Sequence, residues 1–168
     1  MSLASEQFFF FFGASSPLSN WHAKSFEVKG IRFAHVEQFM MFCKAKLFGD
    51  EFNAKRIMET DDPAKAKEYG RAVTPFDEAL WNSKCQYYVF VGALAKFEQN
   101  PSAGAYLLST MGKELVEAAG GDRIWGVGLW PDDKRILDKR TWRGTNWLGE
   151  VLMKVRDVID RRSKNSVR

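Results

Sequence analysis

Two residues of opposite charge stand on one face of a predicted helix. Glu37 and Lys44 lie seven residues apart, close to two helical turns, so their side chains leave the helix on the same side. The residues between them are mostly apolar. A carboxylate and an amine on a covered face suit acid–base chemistry or the stabilisation of a developing charge. The other interpretation of this spacing is a solvated stripe on the helix surface.

A second candidate is a segment rich in tryptophan, glycine and aspartate without regular periodicity. It contains Trp125, Gly126, Asp132 and Asp133. A tryptophan in a loop can offer a flat face to a nucleobase, and glycine lets a ligand approach the backbone closely. The competing interpretation is that the tryptophans fill the core.

Two shorter motifs also carry groups that can bind a ligand. Arg71 follows Gly70 at the end of a short predicted helix, where its guanidinium can contact a phosphate. A Gly-Arg pair is, however, also an ordinary helix end. Asn20 and Trp21 place an amide next to an aromatic ring, a combination that is common in turns as well.

The elements that position these groups follow from hydrophobic periodicity and capping residues. Helices are predicted at 36–48, from 63 toward 70, at about 76–99, from 101 onward and at 148–159. Strands are predicted at 8–12, in a hairpin over 25–34, and at 115–118. These elements indicate an α+β fold: a predominantly helical single domain over 1–168, with a small antiparallel sheet and a frayed basic tail over about 161–168.

The amino-acid composition is that of an ordinary globular protein. The chain has 168 residues, of which 45% are hydrophobic and 27% are charged, as in an ordinary globular domain. A net charge of +4 indicates a mild preference for anionic partners. Cys43 and Cys85 lack metal-binding spacing, so we expect neither a metal nor a cofactor. Free thiols, and an apolar run at 8–12 too short to span a membrane, predict a soluble cytoplasmic protein.

Six segments, taken in order, resemble the NADAR family, also called YbiA-like. They are FFGASSPLSNW, VEQFMMFCKAKLF, AKEYGR, ALAKFEQNP, the pair Trp125-Gly126, and TNWLGEVLMKVR. The family consists of small α+β N-glycosidases that act on ADP-ribose-linked or ribosylamine compounds. This chain keeps Glu37 of the family's usual Ser-Glu-His-Tyr start of the first helix but not its neighbours, and its loop after Trp125-Gly126 is longer.

The resemblance implies a role for each candidate residue. Cleavage of a ribosyl C–N bond passes through an oxocarbenium-like cation, which Glu37 would stabilise, with Asp132 or Asp133 as a second carboxylate. Lys44 would either protonate the leaving nitrogen or hold a phosphate. The residues assigned to substrate binding are Asn20, Trp21, Arg71, Trp125, Gly126 and Asn146, with the arginine on phosphate, the tryptophans on a base, and the asparagines on base or sugar hydroxyls.

Three functions are open at this point. The mildly basic charge and the many aromatic residues favour ADP-ribosylated guanine in nucleic acid as the substrate, so that the protein would reverse a toxin's modification as an antitoxin. The alternative substrates are the early ribosylamine phosphates of the riboflavin pathway. A catalytically silent module that binds ADP-ribose or a nucleotide is the third, and the retained Glu37 and Lys44 argue against it.

Overall fold

The computed structural model describes residues 7–166, which divide into two units. The central unit is Asn20–Asn100, and the terminal unit consists of the described parts of Met1–Ser19 and Pro101–Arg168. No helix among the described residues has the length and apolar character needed to cross a membrane.

The described strands form two separate pairs, one in each unit. In the terminal unit, β1 (Phe8–Phe11) pairs in parallel with β4 (Glu114–Glu117). In the central unit, β2 (Phe26–Val28) and β3 (Ile31–Phe33) pair in antiparallel register as a hairpin. The hairpin turn has positive φ angles at Lys29 and Gly30, as a tight turn of this kind requires.

Four helices follow the hairpin in the central unit. They are α1 (Val36–Leu47), α2 (Glu51–Met58), α3 (Pro63–Arg71) and α4 (Glu78–Gln99). Helix α1 is the centre of the unit because it packs against each of the other three helices.

Side chains just ahead of each of these helices fix where the helix begins. At each start a side chain accepts a hydrogen bond from a backbone N–H of the first turn, which would otherwise lack a partner. The capping residues are His35 for α1, Asp50 for α2, Asp62 for α3 and Asp77 for α4. Proline at the first position of α3 agrees with the predicted start of that helix.

Two glycines allow α3 and α4 to approach α1 closely. A Cβ atom on Gly70 of α3 would lie 1.9 Å from Sδ of Met41, and one on Gly92 of α4 would lie 2.6 Å from Cδ1 of Phe39. Real Cβ contacts are never this short, so both helix contacts depend on the missing side chain. Met41 and Phe39 are themselves buried, which places these contacts in the core.

The terminal unit combines its parallel strand pair with two helices. Helix α5 is Pro101–Leu108 and helix α6 is Trp147–Asn165, and α6 packs against both α5 and β4. Two short 3₁₀ helices, Lys134–Leu137 and Lys139–Thr141, lie in the long connection before α6. The core of this unit includes Phe8, Val116, Val127, Leu129 and Ile136.

The predominantly helical α+β class is confirmed, and three details differ from the sequence predictions. The antiparallel pair is the β2–β3 hairpin, whereas β1 pairs in parallel and leaves Phe12 half exposed. Helix α2 is absent from the predictions, because it is only eight residues long and three of them are buried, which leaves too short an apolar pattern to identify a helix. Helix α6 continues to Asn165, into the segment expected to fray, while residues 1–6 and 167–168 of the predicted domain lie outside the described residues.

The contact between α1 and α4 yields a stability prediction. Gly92→Ala should lower the free energy of unfolding by about 1–3 kcal/mol, because the new methyl group meets the Phe39 ring. Helix propensity alone would favour alanine by about 1 kcal/mol, so the sign of the change separates the two effects. Urea unfolding followed by circular dichroism measures the difference.

The matched control is Ser83→Ala, at an exposed position of the same helix. We expect its free energy of unfolding to stay within about 0.5 kcal/mol of the parent protein. A Gly92→Ala protein that is as stable as the parent would contradict the close packing of α1 and α4.

Candidate active site

Glu37 lies in the first turn of α1, and only 4% of it is exposed. The solvated-stripe interpretation is therefore wrong for this residue. The unpaired N–H groups at a helix start create a positive potential that favours a carboxylate there. The sequence predicts the helix, but its periodicity does not show that this face is covered at the first turn.

Two side chains hold the turn that carries Glu37. Nδ1 of His35 accepts from the backbone N–H of Gln38 at 3.0 Å, and Nε2 lies 3.1 Å from the carbonyl oxygen of Asp61. These partners assign the proton to Nε2, and burial lowers the pKa of His35, so the ring is neutral. The Gln38 amide donates to the carbonyl oxygens of Ile57 and Thr60. The turn is thus bonded to the segment that joins α2 and α3.

The structure brings the Asn20-Trp21 motif to the same turn. The backbone N–H of Glu37 donates to the carbonyl oxygen of Asn20 at 3.0 Å. Asn20 is buried and Trp21 is half-buried. The centroid of the Trp21 ring lies 5.9 Å from Nζ of Lys67 on α3, which is four residues before Arg71 and so on the same face of that helix. The Asn20-Trp21 motif therefore lies at the start of α1 and contacts the helix that also carries Arg71.

Lys44 lies on the same side of α1 as Glu37 but about 10 Å farther along the helix axis. Its Nζ atom is 4.4 Å from the centroid of the Phe76 ring and 5.6 Å from that of Trp81. Burial lowers the pKa of Lys44, and the nearby charge of Arg71 lowers it further. The amine is therefore held between aromatic faces rather than on an open helix surface.

Arg71 completes a pair of like charges with Lys44. It is exposed at the end of α3, and its charge acts on Lys44 directly. Within residues 7–166, neither side chain forms an ion pair with a carboxylate. Two neighbouring cations repel each other, an anion beside them relieves this repulsion, and phosphate is an anion that ammonium and guanidinium groups both bind.

Trp125 belongs to a loop of the terminal unit that is held by backbone hydrogen bonds. Oδ1 of Asp122 accepts from the N–H groups of Ile124 and Trp125 at 2.9 and 2.8 Å. The half-buried Trp125 ring packs edge to face against Trp147, with centroids 5.9 Å apart. One side of the indole is thus fixed while part of it stays accessible.

Gly126 is required by packing inside this loop. The residue is buried, and a Cβ atom there would lie 2.9 Å from Cβ of Ala119 and 3.0 Å from the carbonyl oxygen of Asp122. The absence of a side chain therefore lets the loop close on β4 and the residues after it.

Asn146 binds the loop to β4 through its side chain. Oδ1 accepts from the N–H of Glu117 at 3.0 Å, and Nδ2 donates to the carbonyl oxygen of Leu115 at 2.9 Å. Asn146 has a left-handed backbone conformation, with φ of 55°, and is 2% exposed. Asparagine tolerates this conformation better than most residues, and its amide pairs with the strand as a backbone amide would.

The two candidate aspartates differ in their surroundings. Asp133 forms hydrogen bonds with the Arg135 guanidinium, the shortest at 2.6 Å, and it caps the first 3₁₀ helix. The Arg135 hydrogen bonds lower the pKa of Asp133 to about 2, so this carboxylate is ionised and engaged by the arginine. Asp132 is exposed.

The structure also places near α1 a group that sequence reasoning missed. Lys96 of α4 is 1% exposed, and burial lowers its pKa to about 7. Its charge contributes to the lowered pKa of His35, so it lies close to the start of α1. A lysine on a helix is usually exposed, and the only signal against this in the sequence is its apolar neighbours Ala95 and Phe97.

Thiols and metal ligands do not form a second centre in the part of the chain that the structure describes. Cys43 and Cys85 are both free, and burial raises the pKa of Cys43 to about 12 and that of Cys85 above its usual range. Neither is a thiolate at neutral pH. Within the same residues, no group of three or more His, Cys, Asp or Glu side chains is placed to hold a metal ion.

The predicted site residues divide between the two units. Asn20, Trp21, Glu37, Lys44 and Arg71 belong to the central unit, where hydrogen bonds, helix geometry and charge connect them around α1. The terminal unit carries Trp125, Gly126, Asp132, Asp133 and Asn146. The structure adds two features that the sequence analysis did not include: the Phe76 and Trp81 rings beside Lys44, and the buried Lys96.

Comparison with known proteins identifies the family. The sequence profile of the NADAR domain matches residues 9–160. The chain is 37% identical to protein irg-1 of Caenorhabditis elegans, over 90% of this chain and 79% of that protein. It is also 37% identical to an N-glycosidase of Acanthamoeba polyphaga mimivirus, over 92% of this chain and 98% of that one.

A solved structure extends the similarity to the fold. The NMR structure of the Escherichia coli protein YbiA matches 94% of this chain and 88% of its own, with a TM-score of 0.76 and 26% identity. The N-glycosidase YbiA of Escherichia coli strain K12 is 29% identical in sequence over 141 residues. The predicted enzyme class, a hydrolase of N-glycosyl bonds, agrees with these relatives. The chain therefore belongs to the NADAR domain family of N-glycosidases.

Proposed function

We propose that the protein removes ADP-ribose from ADP-ribosylated guanine in nucleic acid by hydrolysing the ribosyl C–N bond. The observation that carries the proposal is one side of α1, where a buried carboxylate at Glu37 is followed by the cation pair Lys44 and Arg71. The carboxylate suits a developing positive charge, and the cation pair suits phosphate.

Glu37 acts at the ribosyl carbon. As the C–N bond breaks, its electron pair leaves with the guanine nitrogen, and positive charge develops on the ribosyl ring. The Glu37 carboxylate stabilises this cation, and water adds to the carbon, with its proton passing to a base. The guanine nitrogen takes up a proton, so that free ADP-ribose and unmodified guanine are the products. Burial strengthens the carboxylate's effect because little water screens it.

Lys44 and Arg71 act at the phosphates. The backbone positions of Glu37 and Lys44 are about 10 Å apart along the helix, and the Lys44 amine lies beside the Phe76 and Trp81 rings. We therefore assign the two residues to different parts of the substrate. Of the two roles open to Lys44, holding phosphate therefore fits better than protonating the leaving nitrogen. Arg71 beside it supplies the second cation for a diphosphate.

The remaining candidates take supporting roles. Trp21, half-buried beside the first turn of α1, and the partly accessible Trp125 are the proposed stacking surfaces for bases, and Asn20 lies next to Trp21. Asp133 and Asn146 are engaged by Arg135 and by β4, which favours positioning roles for both. Asp132 remains the candidate for a second carboxylate.

A ribosylamine phosphate of the riboflavin pathway is the second candidate substrate. A single phosphate would also satisfy the pair Lys44 and Arg71, so the pair by itself fits both classes. The decisive experiment incubates the protein separately with an oligonucleotide that carries ADP-ribosylated guanine and with the ribosylamine phosphate. Mass spectrometry should detect free ADP-ribose from the first. Release of ribose phosphate from the second alone would overturn the proposal, and retention without release would indicate a binding module.

The role of Glu37 predicts a selective loss of turnover. Glu37→Gln keeps the size of the side chain and removes its charge, so kcat should fall about 100-fold or more while KM stays within a few-fold. Steady-state release of ADP-ribose measures both constants, and thermal unfolding confirms that the variant is folded. A folded Glu37→Gln protein with the parent's kcat would exclude the catalytic role and direct the same test to Asp132 and Asp133.

The role of Arg71 predicts the opposite pattern. Arg71→Gln should raise KM about 10-fold or more, with a smaller change in kcat, because the guanidinium contacts a phosphate remote from the bond that breaks. Lys65→Gln, which removes an exposed charge from the same helix, is the matched control and should leave KM unchanged. An equal rise in KM for both variants would show a general effect of net charge instead.

The lowered pKa of Lys44 predicts how binding depends on pH. Lys44 must be protonated to hold phosphate, so KM should rise as pH increases through its pKa, which lies below the usual range for lysine. Lys44→Arg keeps the charge at all of these pH values and should flatten the rise. Parallel KM profiles for the parent and Lys44→Arg proteins would show that another group causes the dependence.

A further inference from the structure

A second pair of exposed cations lies in the terminal unit, at Arg123 and Arg143. Gly128 lies between their stems: a Cβ atom there would be 3.0 Å from Cβ of Arg143 and 3.1 Å from Cγ of Arg123. Gly128 has a positive φ of 68°, a conformation that favours glycine. The two arginine stems are therefore neighbours because glycine occupies the position between them.

Backbone contacts fix this pair in place. The N–H of Thr145 donates to the carbonyl oxygen of Arg123 at 3.0 Å, and the N–H of Arg143 donates to that of Val127 at 2.9 Å. A Cβ atom on Gly144 would lie 2.7 Å from Cα of Arg123, so the two chain segments cross in close contact. The arginines thus extend from a framework that is ordered by main-chain hydrogen bonds.

Neither arginine is neutralised by a carboxylate in the described part of the chain. Three other cations of the long connection before α6 form ion pairs: Arg135 with Asp133, Lys139 with Glu114, and Arg140 with Asp138. The Asp122 carboxylate next to Arg123 accepts from two backbone N–H groups instead. The charge of Arg143 contributes to the lowered pKa of Asp133, but less than the hydrogen bonds from Arg135 do.

The loop that contains Gly128 also carries one member of an exposed aromatic pair. Trp130, two residues after Gly128, is 49% exposed, and Phe12 is 48% exposed. Their rings pack edge to face with centroids 5.2 Å apart. A Cβ atom on Gly120 would lie 2.4 Å from the Trp130 indole, so the ring rests against that glycine. The indole is supported by these two contacts and still presents much of its surface to solvent.

We propose that Arg123, Arg143 and Trp130 form a surface that binds single-stranded nucleic acid. The two guanidinium groups contact backbone phosphates, and the indole stacks on an unpaired base, which is the combination that single-strand binding uses. This inference rests on the proposed function and identifies the larger part of its substrate.

Counting phosphates favours a polymeric substrate. The two phosphates of ADP-ribose are matched by Lys44 and Arg71 in the central unit, and a ribosylamine phosphate has fewer charges still. A second pair of cations without a carboxylate partner among the described residues is available for further phosphates, which an oligonucleotide supplies at every nucleotide. The chain's net charge of only +4 makes this local pair, rather than overall charge, the expected source of nucleic-acid affinity.

A binding experiment tests the surface without relying on activity. Fluorescence anisotropy with a labelled, unmodified single-stranded oligonucleotide gives the Kd of the full chain at several salt concentrations. Replacing both arginines, Arg123→Gln with Arg143→Gln, should reduce the slope of log Kd against log salt by about 1.4, since each phosphate that is no longer neutralised removes about 0.7. Trp130→Ala should weaken binding about 5-fold or more with the slope unchanged.

The matched control removes two charges that are already paired. Lys139→Gln with Arg140→Gln lowers the net charge equally, but both cations are engaged with carboxylates, so the salt slope should stay near that of the parent. An equal reduction of the slope in the control, or an unchanged slope in the Arg123 and Arg143 variant, would overturn the proposal. Thermal unfolding of each variant establishes that the fold is intact.

An activity experiment separates this surface from the ADP-ribosyl site. The Arg123 and Arg143 variant should show a raised KM on an ADP-ribosylated oligonucleotide and the parent's KM on ADP-ribosylated guanosine. An equal rise on both substrates would assign the pair to the ADP-ribosyl group and overturn the inference. Failure of the proposed function looks different: the parent would release no ADP-ribose from either substrate, while the binding experiment still decides whether the surface holds nucleic acid.

Discussion

Burial of the Glu37 carboxylate at the start of α1 is the constraint on which the central unit depends. A carboxylate removed from water is costly unless its surroundings compensate the charge, and the N-terminal turn of a helix provides such surroundings. That turn is itself held by His35 and Gln38, whose side chains bond to the turn, to a carbonyl group near the end of α2 and to carbonyl groups between α2 and α3. Loss of these bonds would release the helix start and the carboxylate together.

Close packing of α3 on α1 brings Arg71 near Lys44, toward the C-terminal end of α1. Gly70 permits contact with Met41, and Arg71 follows it directly, so the same close approach brings the guanidinium into the electrostatic range of Lys44. The ring of Phe76, which follows α3, and the ring of Trp81 on α4 lie beside the Lys44 amine. The chemistry proposed for α1 thus combines the buried Glu37 carboxylate at one end of the helix with the cations Lys44 and Arg71 at the other. Among the described residues, no carboxylate forms an ion pair with either cation.

Features that depend on neighbours along the chain could be predicted from the amino-acid sequence alone. Apolar spacing and capping residues located α1, α3, α4, α5 and α6, and a Lys-Gly turn located the hairpin, because these signals act within a few residues. The alignment of Glu37 and Lys44 on one side of α1 is equally local, and six short motifs identified the family. Glu37, Lys44 and Arg71 could therefore be selected from the sequence alone.

Which of these groups are buried, paired or accessible became known from the folded structure. Helix α2 depends on Asp50, which accepts from Asn53 and from the distant Thr74, and no periodicity indicates such a contact. Burial of Lys96 and the pairing of the Asn146 amide with β4 likewise come from residues far away in the sequence. The physical reason is the same in each case: burial, parallel strand pairing and side-chain hydrogen bonding are set by segments that meet only when the chain has folded.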